Sequence, residues 1–89
     1  MVTILFPSLI SRVIKENRTE VIAETLGDAI DKLIEKYGKK LTEIMFDSGE
    51  LNRFLRFYIK GRNIPETEKM NAPLKPDDEI AILIIIGGG

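Results

Sequence analysis

The residue types best suited to chemistry stand at the end of this sequence, where Gly87, Gly88 and Gly89 follow one another. They come directly after the apolar run Ile80–Ile86, which is typical of a buried β-strand. The glycines have no side chains to pack, and glycine adopts more backbone conformations than any other residue. We therefore expect this tail, with Gly87 and Gly88 in it, to enter another protein rather than to help the domain pack.

The rest of the chain lacks the usual catalytic side chains. It contains no Cys and no His, which excludes thiolate zinc sites, cysteine nucleophiles and the commonest general base. Its 89 residues form one domain, too small for a catalytic cleft between domains. We interpret Asp47, Asp77, Asp78 and Glu79 as turn and strand-protecting residues rather than metal ligands. The sequence predicts a protein that is not an enzyme and binds no metal.

Charge and hydropathy narrow the classes of partner. Thirteen Lys and Arg against fourteen Asp and Glu give a formal net charge of -1, which provides no overall positive field for nucleic acid. The longest apolar run, Ile80–Ile86, is much shorter than the ~20 residues of a membrane-spanning helix. No basic stretch followed by an apolar core marks a secretory signal. We expect a cytoplasmic protein that binds neither nucleic acid nor membrane.

Hydrophobic periodicity predicts a small set of elements. Apolar residues recur at helical spacing from Thr25 to Tyr37, and Gly38 favours the end of a helix there in a left-handed conformation. Apolar residues at positions 41, 44 and 45 indicate a short second helix, and Asn17-Arg18 suits a turn. Alternation or continuous apolar character predicts strands over residues 2–6, 19–23, 54–60 and 80–86. Residues 65–76 carry three prolines, which is typical of a surface loop.

The last predicted strand determines the arrangement. Because it is almost continuously apolar, we expect it inside a mixed sheet, between the first strand and the 54–60 strand, with the long helix on one face. Its alternate residues would then point outward beside the polar face of the neighbouring strand. The outward set comprises Arg56, Tyr58, Ala81, Leu83 and Ile85. An apolar patch with a basic rim often marks a protein interface, and ordinary sheet packing is the alternative.

Two segments resemble a known family. Leu55–Ile64 reads LRFYIKGRNI and is similar to the central strand and turn of the MoaD and ThiS sulfur carriers, commonly apolar-Asn-apolar-Tyr-Val-Asn-Gly-x-x-Ile. Leu74–Leu83 reads LKPDDEIAIL and resembles their Leu-x-x-Gly-Asp-Glu-Val approach to the last strand. Val2–Pro7 and Leu51–Phe54 are most similar to the branch that contains CysO and the archaeal small modifiers.

The chain departs from this family pattern at two places. Ile84-Ile85 stands where the family often has Pro-Pro or Pro-Ala, and Gly87 stands where it has Ala, Ser or Thr. Proline lacks the backbone N–H that a sheet requires. The first departure therefore predicts a tail that stays extended or paired further along the sheet.

The resemblance implies a fold. It implies an α+β, β-grasp (ubiquitin-like) domain over residues 1–86, in which a mixed four- to five-stranded sheet packs on one main helix plus a short second helix. Residues 87–89 would form a flexible glycine tail. The domain is expected to be a monomer when free.

The resemblance also implies a chemistry. In the family an E1-like adenylyltransferase of the MoeB or ThiF type uses ATP and Mg²⁺ to adenylate the terminal glycine, which is Gly89 here. A sulfur donor then replaces AMP to give a thiocarboxylate, and a sulfur-accepting enzyme such as a molybdopterin synthase large subunit receives the sulfur. The chain itself would bind no cofactor.

Three hypotheses about function remain open at this point. The first is a sulfur carrier for molybdopterin, thiamine, cysteine or tRNA thiolation. The second is a ubiquitin-like modifier joined through Gly89 to protein lysines. The third is a β-grasp binding module that never reacts.

Overall fold

The computed structural model describes residues 1–65 and 68–85, so the predicted tail at residues 87–89 lies outside the described residues. Its helices are α1 (Ser8–Ile14), α2 (Leu26–Tyr37) and α3 (Lys39–Met45), with a 3₁₀ turn at Lys69–Asn71. Its strands are β1 (Val2–Leu5), β2 (Arg18–Val21), β3 (Phe46–Asp47), β4 (Glu50–Leu51), β5 (Leu55–Ile59), β6 (Arg62–Asn63) and β7 (Glu79–Ile84).

The sheet has the predicted mixed topology. Within the described residues, five strands form one sheet in the order β2-β1-β7-β5-β6. Strand β7 runs parallel to β1 and antiparallel to β5. The most apolar strand, β7, therefore lies inside the sheet, as its composition predicted. A strand that is paired along both edges needs no polar residues to protect an exposed edge.

Helix α2 begins and ends where the sequence predicted. The Thr25 side chain accepts a hydrogen bond from the Asp28 amide at 3.1 Å, and the Asp28 carboxylate accepts one from the Glu24 amide at 3.2 Å. These bonds satisfy donors that a helix N-terminus leaves unpaired. Gly38 ends the helix at φ 68° and ψ -146°, so the positive φ is confirmed but the left-handed helical conformation is wrong. The difference arises because Gly38 is also the first capping residue of α3.

Helix α1 was not predicted from the sequence. It has seven residues, and Ile10 is its buried side chain. It ends at Lys15, which has a φ of 65°, a conformation that sequence patterns associate with glycine. The connection between β1 and β2 thus contains a helix, although the two strands pair antiparallel as expected.

The segment after α3 forms a second, smaller sheet. Strands β3 and β4 pair antiparallel around Ser48 and Gly49, whose φ values are 55° and 84°. A type I′ hairpin turn requires a positive φ at both of its central residues. Asp47, interpreted from the sequence as a turn residue, therefore flanks a tight hairpin turn.

One apolar core lies between the five-stranded sheet and the helices. Inward residues of β1, β5 and β7 meet the buried face of α2, as their periodicity predicted. The side chains exposed by less than 2% include Val2, Ile4, Ile10, Leu26, Ile30, Leu33, Leu41, Met45, Leu55, Phe57 and Ile80. Burial of these side chains fixes which strand residues point away from the helices, because side chains alternate along a strand.

Candidate partner-binding face

The five residues predicted to face outward lie together on the sheet. Arg56 pairs with Leu83, and Tyr58 pairs with Ala81, in the register of β5 and β7. Residues directly opposite each other in a sheet point to the same face. Leu83 is 42% exposed, whereas Ile82 is buried and Ile84 is partly buried, so this face, called the outer face below, points away from the core.

Ile85 extends the face beyond the end of β7. Its amide donates a hydrogen bond to the carbonyl oxygen of Phe54 at 2.8 Å, and its side chain is 42% exposed. The prediction that the chain stays paired further along the sheet is therefore confirmed as far as Ile85. A proline at this position would lack the N–H that makes this bond.

Phe54 is part of this surface, although sequence reasoning did not include it. Its ring is 43% exposed, and its carbonyl is bonded to Ile85. Alternation could have identified it, because Leu55 is buried and its neighbour should then point the other way. The apolar part of the outer face thus runs from Ala81 through Leu83 to Ile85 and Phe54.

Charges on the outer face are separated along the strands. The register places Thr3 beside Glu20 and Glu79 at the end where β7 begins. The next row places Leu5 beside Arg18 and Ala81. Arg56 follows one row further on, opposite Leu83. The acidic side chains therefore lie at the start of β7 and the arginines lie towards its end.

Two arginines near the end of β7 have defined positions. The Arg56 Nη1 donates to the carbonyl oxygens of Arg53 at 2.7 Å and Leu55 at 2.9 Å. The Arg53 guanidinium carbon lies 5.1 Å from the centroid of the Phe54 ring, within the range of a cation–π interaction. This end of the face therefore combines an exposed aromatic ring with two ordered cations.

Two further basic residues near the face, Lys60 and Arg62, have acidic partners. The Lys60 ammonium lies 3.3 Å from the Asp78 carboxylate, and the Arg62 guanidinium lies 3.9 Å from that of Glu68. Both pairs lie at the far ends of β5 and β6 from Phe54. Their positive charge is therefore partly balanced, whereas Arg53 and Arg56 contact carbonyl oxygens and a ring.

The acidic turn residues have structural roles. Asp78 is 4% exposed and accepts a hydrogen bond from the Lys75 amide at 2.8 Å. This bond lowers the pKa of Asp78, burial opposes the shift, and the Lys60 ammonium supports it. Across residues 1–65 and 68–85, no three acidic side chains are grouped so that they could hold a metal ion. In the same residues no helix has the length and apolar character needed to cross a bilayer.

Comparison with known proteins finds relatives over nearly the whole chain. A putative sulfur carrier protein of Archaeoglobus fulgidus is 31% identical over 78 residues, which cover 85% of this chain and 89% of the relative. Small archaeal modifier protein 1 of Methanosarcina acetivorans is 25% identical with a TM-score of 0.86, covering 99% of this chain and 95% of that chain. A chain of the Amycolatopsis orientalis BexX/CysO complex is 21% identical with a TM-score of 0.85, covering 100% of both chains.

These similarities establish the fold and the family. The likeness to CysO and to the small archaeal modifier confirms the β-grasp, ubiquitin-like fold that the family resemblance implied. The model of the ThiS family matches residues 10–89, which include both Gly88 and Gly89. The chain therefore belongs to the ThiS family, and the proteins similar to it include a putative sulfur carrier protein and a small archaeal modifier protein.

Proposed function

We propose that this chain is a sulfur carrier whose Gly89 carboxyl group becomes a thiocarboxylate and then donates sulfur in cofactor, cysteine or tRNA-thiolation biosynthesis. The observation that carries the proposal is the family match, which extends through the glycines at positions 88 and 89. The similarity to a putative sulfur carrier of Archaeoglobus fulgidus supports it. The protein then acts as a co-substrate, and the enzymes that bind it supply the catalysis.

The reaction needs an activating step. At neutral pH a glycine α-carboxyl group is a carboxylate and a poor electrophile. An E1-like enzyme of the MoeB or ThiF type would let a Gly89 oxygen attack the α-phosphorus of ATP, which releases pyrophosphate and forms an acyl-adenylate. A sulfur donor at the sulfide level then attacks the carbonyl carbon, so that a C–S bond forms and AMP leaves. One carboxyl oxygen is thereby exchanged for sulfur.

The position of β7 defines how far the reacting group can reach. Pairing with Phe54 holds Ile85 on the sheet. At most ~3.6 Å per residue, Gly89 can then lie no more than about 14 Å from Ile85. An enzyme that reaches Gly89 must therefore approach this end of the sheet closely. The absence of a Cβ at Gly89 leaves the carbonyl carbon accessible to the attacking sulfur.

The outer face would supply the folded part of the recognition. Leu83 and Ile85 offer apolar area, Arg56 and Tyr58 border it, and Ala81 leaves room for a partner's side chains. An apolar centre with a polar rim is the usual anatomy of a protein interface. We propose that the activating enzyme and the sulfur-accepting enzyme, for example a molybdopterin synthase large subunit, use this face in turn. ATP and Mg²⁺ would be held by the activating enzyme.

A second function has specific support. Small archaeal modifier protein 1 of Methanosarcina acetivorans is structurally similar to this chain over 99% of its length. As a modifier, the activated Gly89 would be joined to a lysine amine on another protein, with AMP or an enzyme thiol as the leaving group. The two functions share the activation step and differ in the nucleophile that follows it.

Intact-mass measurement separates these functions. The purified chain is incubated with an E1-like enzyme, ATP, Mg²⁺ and a sulfide source, and its C-terminal peptide is analysed. A gain of about 16 Da, the difference between sulfur and oxygen, supports the carrier. Isopeptide-linked adducts on lysines of added cell extract support the modifier. A variant without Gly88 and Gly89 is the matched control and should give neither product.

The outcome that contradicts both functions is equally concrete. The wild-type chain would keep its mass with every E1-like enzyme of its host, and removal of Gly88 and Gly89 would change no phenotype. The chain would then be a β-grasp binding module that does not react.

A further inference from the structure

Asn52 connects the end of α3 to the start of β5. Its backbone amide donates to the carbonyl oxygen of Met45 at 2.7 Å, and its side-chain Nδ2 donates to that of Ile44 at 3.4 Å. Both carbonyls belong to the last turn of α3, where a helix leaves its acceptors unpaired. The turn before β5 is therefore attached to the helix end by both the backbone and the side chain of one residue.

The same residue fixes the backbone of Phe54. The Asn52 Oδ1 accepts from the Phe54 amide at 2.9 Å, and the Asn52 carbonyl accepts from the Leu55 amide at 3.1 Å. A side-chain oxygen bonded to the amide two residues ahead is an Asx turn. The amide, carbonyl, Nδ2 and Oδ1 of Asn52 thus all hold one short segment in place.

This segment places two exposed groups beside the end of the final strand. The Phe54 carbonyl accepts from the Ile85 amide at 2.8 Å, and the Phe54 ring is 43% exposed. The Arg53 guanidinium lies over that ring, with 5.1 Å between its central carbon and the ring centroid. An aromatic ring and a cation are therefore held next to the last described residue before the glycines.

We propose that Arg53 and Phe54, positioned by Asn52, form an anchor for the E1-like enzyme that activates Gly89. This proposal rests on the proposed function, because it assumes that Gly89 is activated. The partner surface that fits is an apolar depression bordered by carboxylates, which would receive the ring and face the guanidinium. Asn52 acts as a positioning residue, and Arg53 and Phe54 make the contact.

Charge and rigidity support this choice of partner. The β5–β7 pairs from Ala81 to Ile84 contain Arg56 and no carboxylate, so an acidic protein surface meets no like charge here. Aromatic residues and arginine dominate the energetics of protein interfaces. A turn already ordered by Asn52 loses little conformational entropy when it binds.

The location of the anchor suits an enzyme that acts on Gly89. The chain length allows Gly89 to reach at most about 14 Å from Ile85, and the Ile85 amide donates a hydrogen bond to the Phe54 carbonyl oxygen. A contact at Phe54 would therefore fix the direction from which the chain enters the adenylation site. Loss of the contact should weaken binding of the carrier and leave the chemistry on bound carrier unchanged.

ATP–pyrophosphate exchange catalysed by the host's E1-like enzyme tests the anchor, with the full-length carrier as the varied substrate. Phe54→Ala should raise the KM for the carrier about tenfold and change kcat less than about twofold, which is the signature of lost binding energy. Ile22→Ala is the matched control. Ile22 is 71% exposed and follows β2, the strand at the edge of the sheet away from β5. Its KM should equal that of the wild type.

Further variants keep the test independent of folding. Arg53→Glu leaves the buried core untouched and reverses the charge at the anchor, so its KM should rise at least as much as that of Phe54→Ala. Asn52→Ala should raise KM about fivefold, because Phe54 loses the bond to its amide. Asn52→Ser should recover part of this loss, since a serine hydroxyl can accept the same bond more weakly. All of these variants, with Phe54→Ala and Ile22→Ala, should keep the circular dichroism spectrum of the wild type.

The outcomes separate this inference from the proposed function. If the wild-type chain supports exchange, and Phe54→Ala and Arg53→Glu keep its KM, the anchor is refuted while the carrier function stands. If Asn52→Ala and Asn52→Ser lower the melting temperature without any change in KM, Asn52 has only a structural role. If the wild-type chain supports no exchange and gains no sulfur, the proposed function and the anchor both fail.

Discussion

The carboxylate of Asp78 accepts a hydrogen bond from the amide of Lys75 at 2.8 Å and closes the turn that leads into β7. The Asp78 amide donates in return to the Lys75 carbonyl at 3.1 Å. One buried acidic residue thus holds both ends of the turn immediately before the central strand. Since the Thr3 amide donates to the Asp78 carbonyl, the same turn is also attached to β1.

Replacement of Asp78 should lower the free energy of unfolding, and the loss should be larger for the variant that removes more of its interactions. Asp78→Asn keeps an oxygen for the Lys75 amide and loses the charge, which should cost about 1 to 3 kcal/mol at pH 7. Asp78→Ala also leaves that amide without its partner and should cost more. Lys60→Met is the control: the Lys60 side chain is 66% exposed, so loss of its ion pair should cost less than about 1 kcal/mol. Urea unfolding measures each value.

The pH dependence of stability should depend on the same carboxylate. The pKa of Asp78 in the folded protein lies below its ordinary value of 3.8, chiefly because of the Lys75 amide. A lowered pKa stabilises the fold above the ordinary value, and the contribution is lost as the pH falls through the folded-state value. The melting temperature of the wild type should therefore fall more steeply below pH 3.8 than that of Asp78→Asn. Equal slopes for the two proteins would contradict this assignment.

The Asp77→Gly protein should be at least as stable as the wild type. Asp77 has a φ of 73° and follows Pro76 in the turn closed by Asp78, which is the type II pattern that favours glycine at this position. Asp77→Gly should raise the free energy of unfolding by up to about 0.5 kcal/mol, and Asp77→Ala should lower it by about 1 kcal/mol. Asp31 lies on the exposed face of α2, and Asp31→Gly is the control. This variant should lower the free energy of unfolding by about 1 kcal/mol.

Much of the fold could be predicted because local and global patterns agree. The ends of α2 are marked by the capping side chain of Thr25, by Asp28 in the first turn and by Gly38 after the last residue. The apolar residues between them recur at a single helical spacing. The continuous apolar run in β7 requires neighbours on both sides, so its central position followed from composition alone. The type II turn at Asp77 also matches the place where the family pattern has glycine.

The parts that could not be predicted depend on tertiary contacts. Helix α1 is short, buries Ile10 and ends at a lysine with positive φ, so neither its periodicity nor its cap identifies it. The role of Phe54 depends on the β5–β7 register, which brings its carbonyl to Ile85. The contacts of Asn52 with the end of α3 join residues that are 7 and 8 positions apart across a hairpin, and no local pattern specifies them.

Gly27 is required by a close approach rather than by its backbone conformation. A Cβ at this position would lie 2.8 Å from the carbonyl oxygen of Met70. The neighbouring loop cannot easily move away, because the Leu26 amide donates to the Ala72 carbonyl and the Leu74 amide to that of Glu24. Gly27→Ala should therefore destabilise the protein by about 1 to 3 kcal/mol, despite the gain of about 1 kcal/mol in helix propensity. Asp31→Ala in the same helix should be neutral or stabilising in thermal unfolding, and a stabilised Gly27→Ala protein would contradict the close contact.

A carboxylate in the middle of the outer face should block recognition without unfolding the domain. Leu83 is 42% exposed and lies opposite Arg56, so Leu83→Glu adds a charge to the surface while the buried face of β7 stays intact. If the activating enzyme binds this face through apolar and acidic groups, the carrier's KM in pyrophosphate exchange should rise at least about tenfold, because interface anchors contribute on this scale. Ile22→Glu provides the matched control, since it adds the same charge at an exposed apolar residue on the opposite edge of the sheet. Equal KM values for both variants and the wild type would exclude the outer face as the recognition surface. A rise in KM for Leu83→Glu alone would place the enzyme on the part of the outer face where Ile85 meets Phe54.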